Sequence, residues 1–360
     1  MNIKKISVVT ICILSLVLTL CGCESKDNTT STTNTTVKEP KIEYTIGVCQ
    51  GGQSTYYDQI LAGFTTAVND NFQEEKAAIN TVIADEGIPT DAICQGFSQN
   101  NVSLIFTIGE NSLVSAHNAT TTIPIVGTAV MDYQKALNLP TDKDWDKKTG
   151  QNITGISSVP NMADILSMMI EVTPNINSVG ILYCPEDKDS EYQNHILEKY
   201  LDQAGIKWKE YELYSPSMSN QAVREIVSYA AGESSALFIP AESKLIEKMG
   251  VIRNVALEKN IPTVAGDEYI GADTLCSMYD DPYDQGYKAG EMAYEILKSG
   301  KKPQNIAIAS PSADAEQKLY EGEIAEKMNY KFTKSFKERN DFLSTYKIGS
   351  KTKRDNQQTK

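Results

Sequence analysis

Short apolar runs alternate with amphipathic stretches over most of the chain after residue 41, and the two periodicities are easily told apart. The runs Tyr44 to Cys49, Asn80 to Ala84, Leu104 to Ile108, Ile123 to Val130, Ser178 to Tyr183, Lys209 to Tyr214, Ala236 to Ile239 and Ile261 to Gly266 read as strands. Between them, apolar positions recur at helical spacing. After His195, the residues Ile196, Leu197, Tyr200, Leu201 and Ala204 share one face, and Gly205 stands where a left-handed cap ends a helix. Asn161 and Ser219 occupy N-cap positions ahead of Met162, Ile165, Leu166 and Met169, and of Ala222, Val223, Ile226 and Val227. A β-α-β-α order repeated twice predicts an α/β protein with parallel sheets covered by helices on both faces. Roughly 290 residues carry the pattern, enough for two domains of about 100 to 200 residues each. Pro140 to Gln151, dense in Asp and Lys, reads as a solvated excursion at the boundary between them.

The N-terminus has a different pattern. Lys4 and Lys5 precede an uncharged stretch from Ile6 to Leu20, the charged and apolar regions of a secretory signal. That stretch is short of the ~20 residues a membrane-spanning helix needs. It closes on Leu20-Cys21-Gly22-Cys23, which resembles the bacterial lipobox. The resemblance implies a signal peptide over 1–22, a fatty-acylated (palmitate-type) Cys23 as the new N-terminus, and anchoring to the outer face of the cell membrane. Residues 23–41, rich in Thr, Ser, Asn and Lys, read as a flexible tether. The formal charge is −13 over the whole chain, and losing Lys4 and Lys5 makes it more negative. Such an acidic chain does not read as a nucleic-acid binder. Cys49, Cys94, Cys184 and Cys276 are widely spaced and unpaired with histidine, so they read as buried free thiols and not as a zinc site. Residues 334–360 are polar and mostly basic, and read as a disordered tail.

Catalytic chemistry finds little support. The only histidines, His117 and His195, fall on helical patterns without a Cys or Asp at catalytic or metal spacing. No G-x-S-x-G elbow and no phosphate-binding P-loop is present. The adjacent acids Asp267-Glu268 and Asp280-Asp281 point apart on an extended chain, so at most one of each pair lines a given surface. No cofactor or metal is expected.

Binding is better supported. The loops Gln50 to Tyr57 and Gly109 to Ser112 place glycine, amide and hydroxyl groups just before helices, among them Gln50, Ser54, Gly109, Asn111 and Ser112. A helix N-terminus of this kind suits a carboxylate. In the second half, Glu186 to Ser190, Glu242, Asp267 and Glu268 hold the equivalent post-strand positions, where a carboxylate would suit an ammonium group. Tyr56, Tyr57, Tyr279 and Tyr283 could grip a planar apolar ligand or serve as ordinary packing.

The run Ile123 to Asp132 followed by Gly150 to Ser157, then Ile261 to Glu268 and Tyr283 to Ala293, resembles the solute-binding lipoproteins of ABC importers, tryptophan/tyrosine-binding subfamily. The resemblance spans roughly Tyr44 to Pro311. It departs at Gly51 to Asp58, where the family often has a His-Pro-Ala-Leu-Asp-like segment. It implies the type I periplasmic binding protein fold, with two Rossmann-like lobes, three hinge crossings and a ligand cleft that closes between them. Lobe 1 would be 42–155 completed by about 281–303, and lobe 2 156–280 completed by about 304–333. Crossings fall near Gly155 to Ser158, Cys276 to Asp281 and Gln304 to Ala309. The implied protein is a monomeric, non-enzymatic receptor that passes an L-aromatic amino acid, tyrosine or tryptophan, to a separate permease and ATPase. Thr128 and Ala129, within the first matching run, join the binding residues. Asp281, five residues before Gly286, is the expected ammonium partner. A lipid-anchored sensor or adhesin, a surface hydrolase, and branched-chain amino-acid or sugar ligands stay open as alternatives.

Overall fold

Twelve strands and eleven α-helices are present among the described residues, 42–72, 76–140, 147–214, 217–311 and 316–346 of a computed structural model. These residues all belong to one unit, Pro40–Lys360. The expected signal peptide, Cys23, the tether and residues 347–360 lie outside the described residues.

Two sheets organise the chain. The first contains β1 (Ile42–Gln50), β2 (Lys76–Ile83), β3 (Leu104–Ile108), β4 (Ile125–Val130) and β5 (Ile153–Ser157), in the order β2-β1-β3-β4-β5. All its pairings are parallel. Its helices are α1 (Thr55–Phe72), α2 (Thr90–Gln99), α3 (Glu110–Ala119), the short α4 (Tyr133–Ala136) and a late arrival, α9 (Pro282–Ser299). The period-two alternation of a strand sends Ile46 and Val48 to the face under α1 and α9, and Cys49 to the face under α2 and α3. Strands buried on both sides read as continuous apolar runs, which is why β3 was legible.

The second sheet is ordered β12-β11-β10-β9-β8-β6-β7. Its strands are β6 (Ser178–Tyr183), β7 (Lys207–Glu212), β8 (Ala236–Ile239), β9 (Thr263–Ala265), β10 (Cys276–Tyr279), β11 (Gln317–Tyr320) and β12 (Phe336–Glu338). Pairing is parallel except where β11 runs against β10. The covering helices are α5 (Met162–Val172), α6 (Lys188–Ala204), α7 (Asn220–Glu233) and α8 (Met249–Lys259), with α10 (Gly322–Lys327) and α11 (Arg339–Thr345) near the end. Helices α5 and α6 cover one face and α7 and α8 the other.

The chain leaves the first sheet after β5, returns to it through the turn from β10 into α9, and leaves again beyond Ala309 for β11. Ala309 is held to β5 by its N–H to Gly155 (2.9 Å) and by the Ser157 N–H to its carbonyl (2.8 Å). Local signals set the helix ends as the sequence suggests. Asn161 accepts from Ala163 N–H, Ser219 accepts from Ala222 N–H, and Gly205 has φ 69°.

Some boundaries differ. The expected Lys209–Tyr214 strand is Lys207–Glu212, because β7 pairs with β6 from Ser178 onward and that register starts it earlier. Residues 334–346 do not form a disordered tail. Phe336 is buried in β12 against β11, and Phe342 of α11 and Tyr346 just after it pack edge-on to Tyr279, with centroids 5.2 and 5.4 Å from its ring. Three aromatic anchors outweigh the polar composition of that segment.

Candidate functional site

A cavity of about 450 Å³ opens where the carboxyl ends of both sheets face each other. Gly51, Tyr57, Gly109 and Asn111 contribute from the first sheet's loops, and Asp187, Asp189 and Ser243 from the second's. Crevices beyond strand carboxyl ends are where α/β sheets bind ligands, and the volume falls in the range of small-molecule sites, roughly 300–1,000 Å³.

The first-sheet wall is built from backbone. Gly51 N–H donates to Ile108 O (2.9 Å) and Gly109 N–H to Thr128 O (2.9 Å), which aligns the two loops side by side. Gly109 caps α3 at φ 101°, a conformation L side chains rarely adopt, with the Tyr57 hydroxyl close above it. No side chain caps α3, and its first residues, Glu110 and Asn111, line the cavity. Beneath them Ser112 is wholly buried, with its hydroxyl against the Cys49 thiol. Gln50, wholly buried, donates to Gly52 O (3.0 Å) and Asp58 Oδ1 (2.9 Å) and so shapes the loop that carries Tyr56 and Tyr57. Ser54 contributes its carbonyl to the start of α1, accepting from Asp58 N–H (2.9 Å).

Thr128 and Ala129 support this wall from behind. Thr128 is fully buried and donates to Thr107 O (3.1 Å). Ala129 sits at φ 55° where the register of β4 slips against β5, a strained backbone of the kind that gathers at functional sites.

Charge of both signs rims the opening. Burial and the facing Asp189 raise the Glu110 carboxyl above its usual range, and burial with Asp187 does the same for Asp189, while Lys135 opposes both shifts. Asp187 goes the other way. Burial works against it, but the Ser243 hydroxyl (2.7 Å) and N–H (3.1 Å) hold its carboxyl below the ordinary range.

A deeper group lies between α1, α9 and the β10–α9 turn. Tyr56 is still 36% exposed along its ring, yet burial of its hydroxyl dominates and raises it. That hydroxyl donates to Gln285 Oε1 (3.2 Å), and Gln285 Nε2 donates to Asp280 Oδ2 (2.6 Å). Both Asp280 and Asp267 add to the field on Tyr56. Burial raises Asp267 to about 6, although its Oδ1 accepts from Ile270 N–H (3.0 Å).

Four expected residues are otherwise engaged. Glu242 turns inward, is 2% exposed, and accepts from the N–H groups of Cys184 (2.9 Å) and Lys244 (2.8 Å); burial raises it to about 7. Glu268 pairs with Arg339 at 2.5 Å. Tyr279 packs against Phe342 and Tyr346. Asp281 caps α9 through Tyr283 N–H (3.0 Å) and accepts the Tyr346 hydroxyl (2.7 Å). Each is drawn away by a partner distant in sequence or by its own helix end. Asp187 and Asp189 fall in the Glu186 to Ser190 segment expected to face a ligand, whereas Asp280, Gln285 and Lys135 were not singled out as binding residues. Their position at strand ends and helix starts was the available signal. Among the described residues no group of three or more His, Cys, Asp or Glu is placed to hold a metal ion.

The comparisons agree with this geometry. The chain is 27% identical over 295 residues to a protein named tyrosine-binding protein from Clostridioides difficile strain R20291, covering 81% of this chain and 83% of the relative. It superposes with TM-score 0.70 and 24% identity on the ligand-free, open structure of a substrate-binding protein with adhesive properties from Clostridium difficile, covering 82% of this chain and 99% of that one. A Streptococcus pneumoniae ABC domain in complex with L-Trp matches with TM-score 0.59 and 20% identity, over 81% and 96% of the two chains. The two-sheet architecture is thus the type I periplasmic binding protein fold. Among the described residues no helix is long and apolar enough to cross a membrane. The family model for the ABC transporter substrate binding protein covers residues 46–330, and with the cleft it places this chain among those proteins, extracytoplasmic receptors that bind solutes without transforming them.

Proposed function

We propose that the protein captures an L-aromatic amino acid, tyrosine or tryptophan, in the cleft and delivers it as a monomer to a separate permease and ATPase. The observation that carries the reading is the two-sided cleft. One wall offers the N-terminus of α3, which no side chain caps and which suits a carboxylate, and the other side offers acids suited to an ammonium. The Tyr56 and Tyr57 rings, 6.0 Å apart, supply aromatic surface at the same place. The relative's name supports tyrosine, and the neighbour holding L-Trp is an instance of this architecture accommodating an indole. The lipobox-like Leu20 to Cys23 supports anchoring through a lipid on Cys23.

Calorimetric titration against the twenty amino acids and a panel of sugars tests the ligand. Heat with tyrosine or tryptophan and none with sugars is expected. Sugar binding without amino-acid heat would sink the assignment. For the anchor, Cys23→Ser should abolish labelling by a fatty-acid probe in a bacterial host, and persistent labelling would place the lipid elsewhere.

A further inference from the structure

Where β10 passes into α9, one residue separates the two halves of the molecule. β10 belongs to the second sheet and finishes at Tyr279. α9 starts from Asp281 as its N-cap and packs its Ala289 and Ala293 into the core of the first sheet. Asp280 alone lies between them, and element ends of this kind are where hinge motions are absorbed.

The C-terminal segment is seated on the second sheet and reaches over that pivot. β12 pairs with β11, Glu338 Oε2 accepts from Asp341 N–H (2.7 Å) at the start of α11, and Arg339 holds Glu268 (2.5 Å) beyond β9. Tyr346 follows α11. Its ring packs edge-on to Tyr279, and its hydroxyl donates to Asp281 Oδ2 (2.7 Å). One side chain thus grips both sides of the pivot. Asp281 is 1% exposed, and burial together with this bond raises the Tyr346 phenol, so it remains a donor at neutral pH. The family match ends at residue 330, before β12, α11 and Tyr346.

This conformer leaves the cleft accessible, since Glu110 and Asn111 on one wall and Ser243 and Lys244 on the other are exposed. Closing the walls on a ligand turns α9 relative to β10. Rotation at Asp280 carries Asp281 away from its place beside Tyr279, and a rigid phenol fixed to one cannot follow the other. We infer that Tyr346 is a latch on the β10–α9 hinge, holding the accessible conformer and releasing Asp281 when the cleft closes. The inference rests on ligand capture by closure, as proposed above. A ligand that selects the closed form must then work against the latch, which lowers its observed affinity.

Tyr346→Phe keeps the ring and removes only the bond to Asp281, so two measurements on the full chain test the latch. In titration calorimetry the variant should bind L-tyrosine about three- to ten-fold more tightly than wild type, although it melts lower. A merely structural contact gives equal or weaker binding, and either result overturns the latch. The second measurement uses no ligand. Hydrogen exchange read by mass spectrometry should quicken in Tyr346→Phe at Ser157 and Ala309, which belong to the other two crossings, as well as at the β10–α9 turn. Quickening confined to residues 279–285 and 336–346, or none at all, marks a local brace and overturns the latch. Silence of the wild type toward both L-tyrosine and L-tryptophan overturns the amino-acid reading instead, and the exchange experiment then decides the latch by itself.

Discussion

Replacing Gly286 with alanine should destabilise the protein even though alanine is the better helix former. Gly286 lies in α9, where that helix crosses α1. A Cβ built there would land on the Ile60 carbonyl oxygen, well inside the 3.0 Å that real Cβ atoms keep. Gly63 of α1 meets the Tyr283 backbone in the same manner, and a Cβ at Gly290 would come within 2.6 Å of Ala67 Cβ. The obstacle is backbone, so no side-chain rotation relieves it and the helices must separate. A gap of 0.5–1 Å already forfeits about a quarter to a half of each dispersion contact it opens. Those contacts belong to the core under α1 and α9, including Ile60, Phe64, Ala289 and Ala293. Overpacking of this kind costs about 1–3 kcal/mol, while the helix gains up to ~1 kcal/mol from losing a glycine, which leaves a net loss of up to about 2 kcal/mol. Gly96 in α2 is the control, because a Cβ there meets nothing within 4 Å. Gly96→Ala should gain up to ~1 kcal/mol. Urea unfolding followed by circular dichroism reads the difference between the two variants, expected at about 1–3 kcal/mol with unchanged slope. Gly286→Ala as stable as Gly96→Ala would refute the claim that backbone contact sets this interface.

The remaining predictions concern single partners. Glu242 titrates near 7 in the fold against an ordinary 4.5, so the native state binds more protons than the unfolded one between those values and stability falls as pH rises through that window. Glu242→Gln should flatten that part of the stability-against-pH curve relative to wild type, and an unchanged slope would refute the assignment. Tyr346→Phe removes the hydroxyl that Asp281 accepts at 2.7 Å and should cost roughly 1 kcal/mol of stability. The melting temperature reads it, and no change would show that the C-terminal segment contributes nothing through that bond.

Much of the fold was legible because the signals are local. Leu104–Ile108 is a strand buried on both faces and announces itself as an apolar run interrupted only by Thr107. Asn161, Ser219 and Gly205 act within one turn of their own position, so residue type alone placed the helix ends they cap. The loops that build the cleft's first wall were legible for the same reason, glycine and hydroxyl residues between a strand and a helix. The C-terminal elements were not. β12 is three residues long, and only Phe336 within it is buried, so its strand character comes from pairing with β11 and not from any pattern of its own. The acids separate the two levels most clearly. Local sequence gives Glu242, Asp267, Glu268, Asp280 and Asp281 the same strand-end setting, and the family resemblance singled out Asp281. Tertiary structure alone gives Glu242 two backbone donors, Glu268 an arginine 71 residues away, and Asp281 a tyrosine 65 residues away, while Asp280 is aimed by Gln285 with one oxygen unmatched. Composition and periodicity set which segments become strands and helices, because those depend on nearest neighbours. Which carboxylate stays available depends on what long-range packing brings within three ångströms, and no local pattern encodes that.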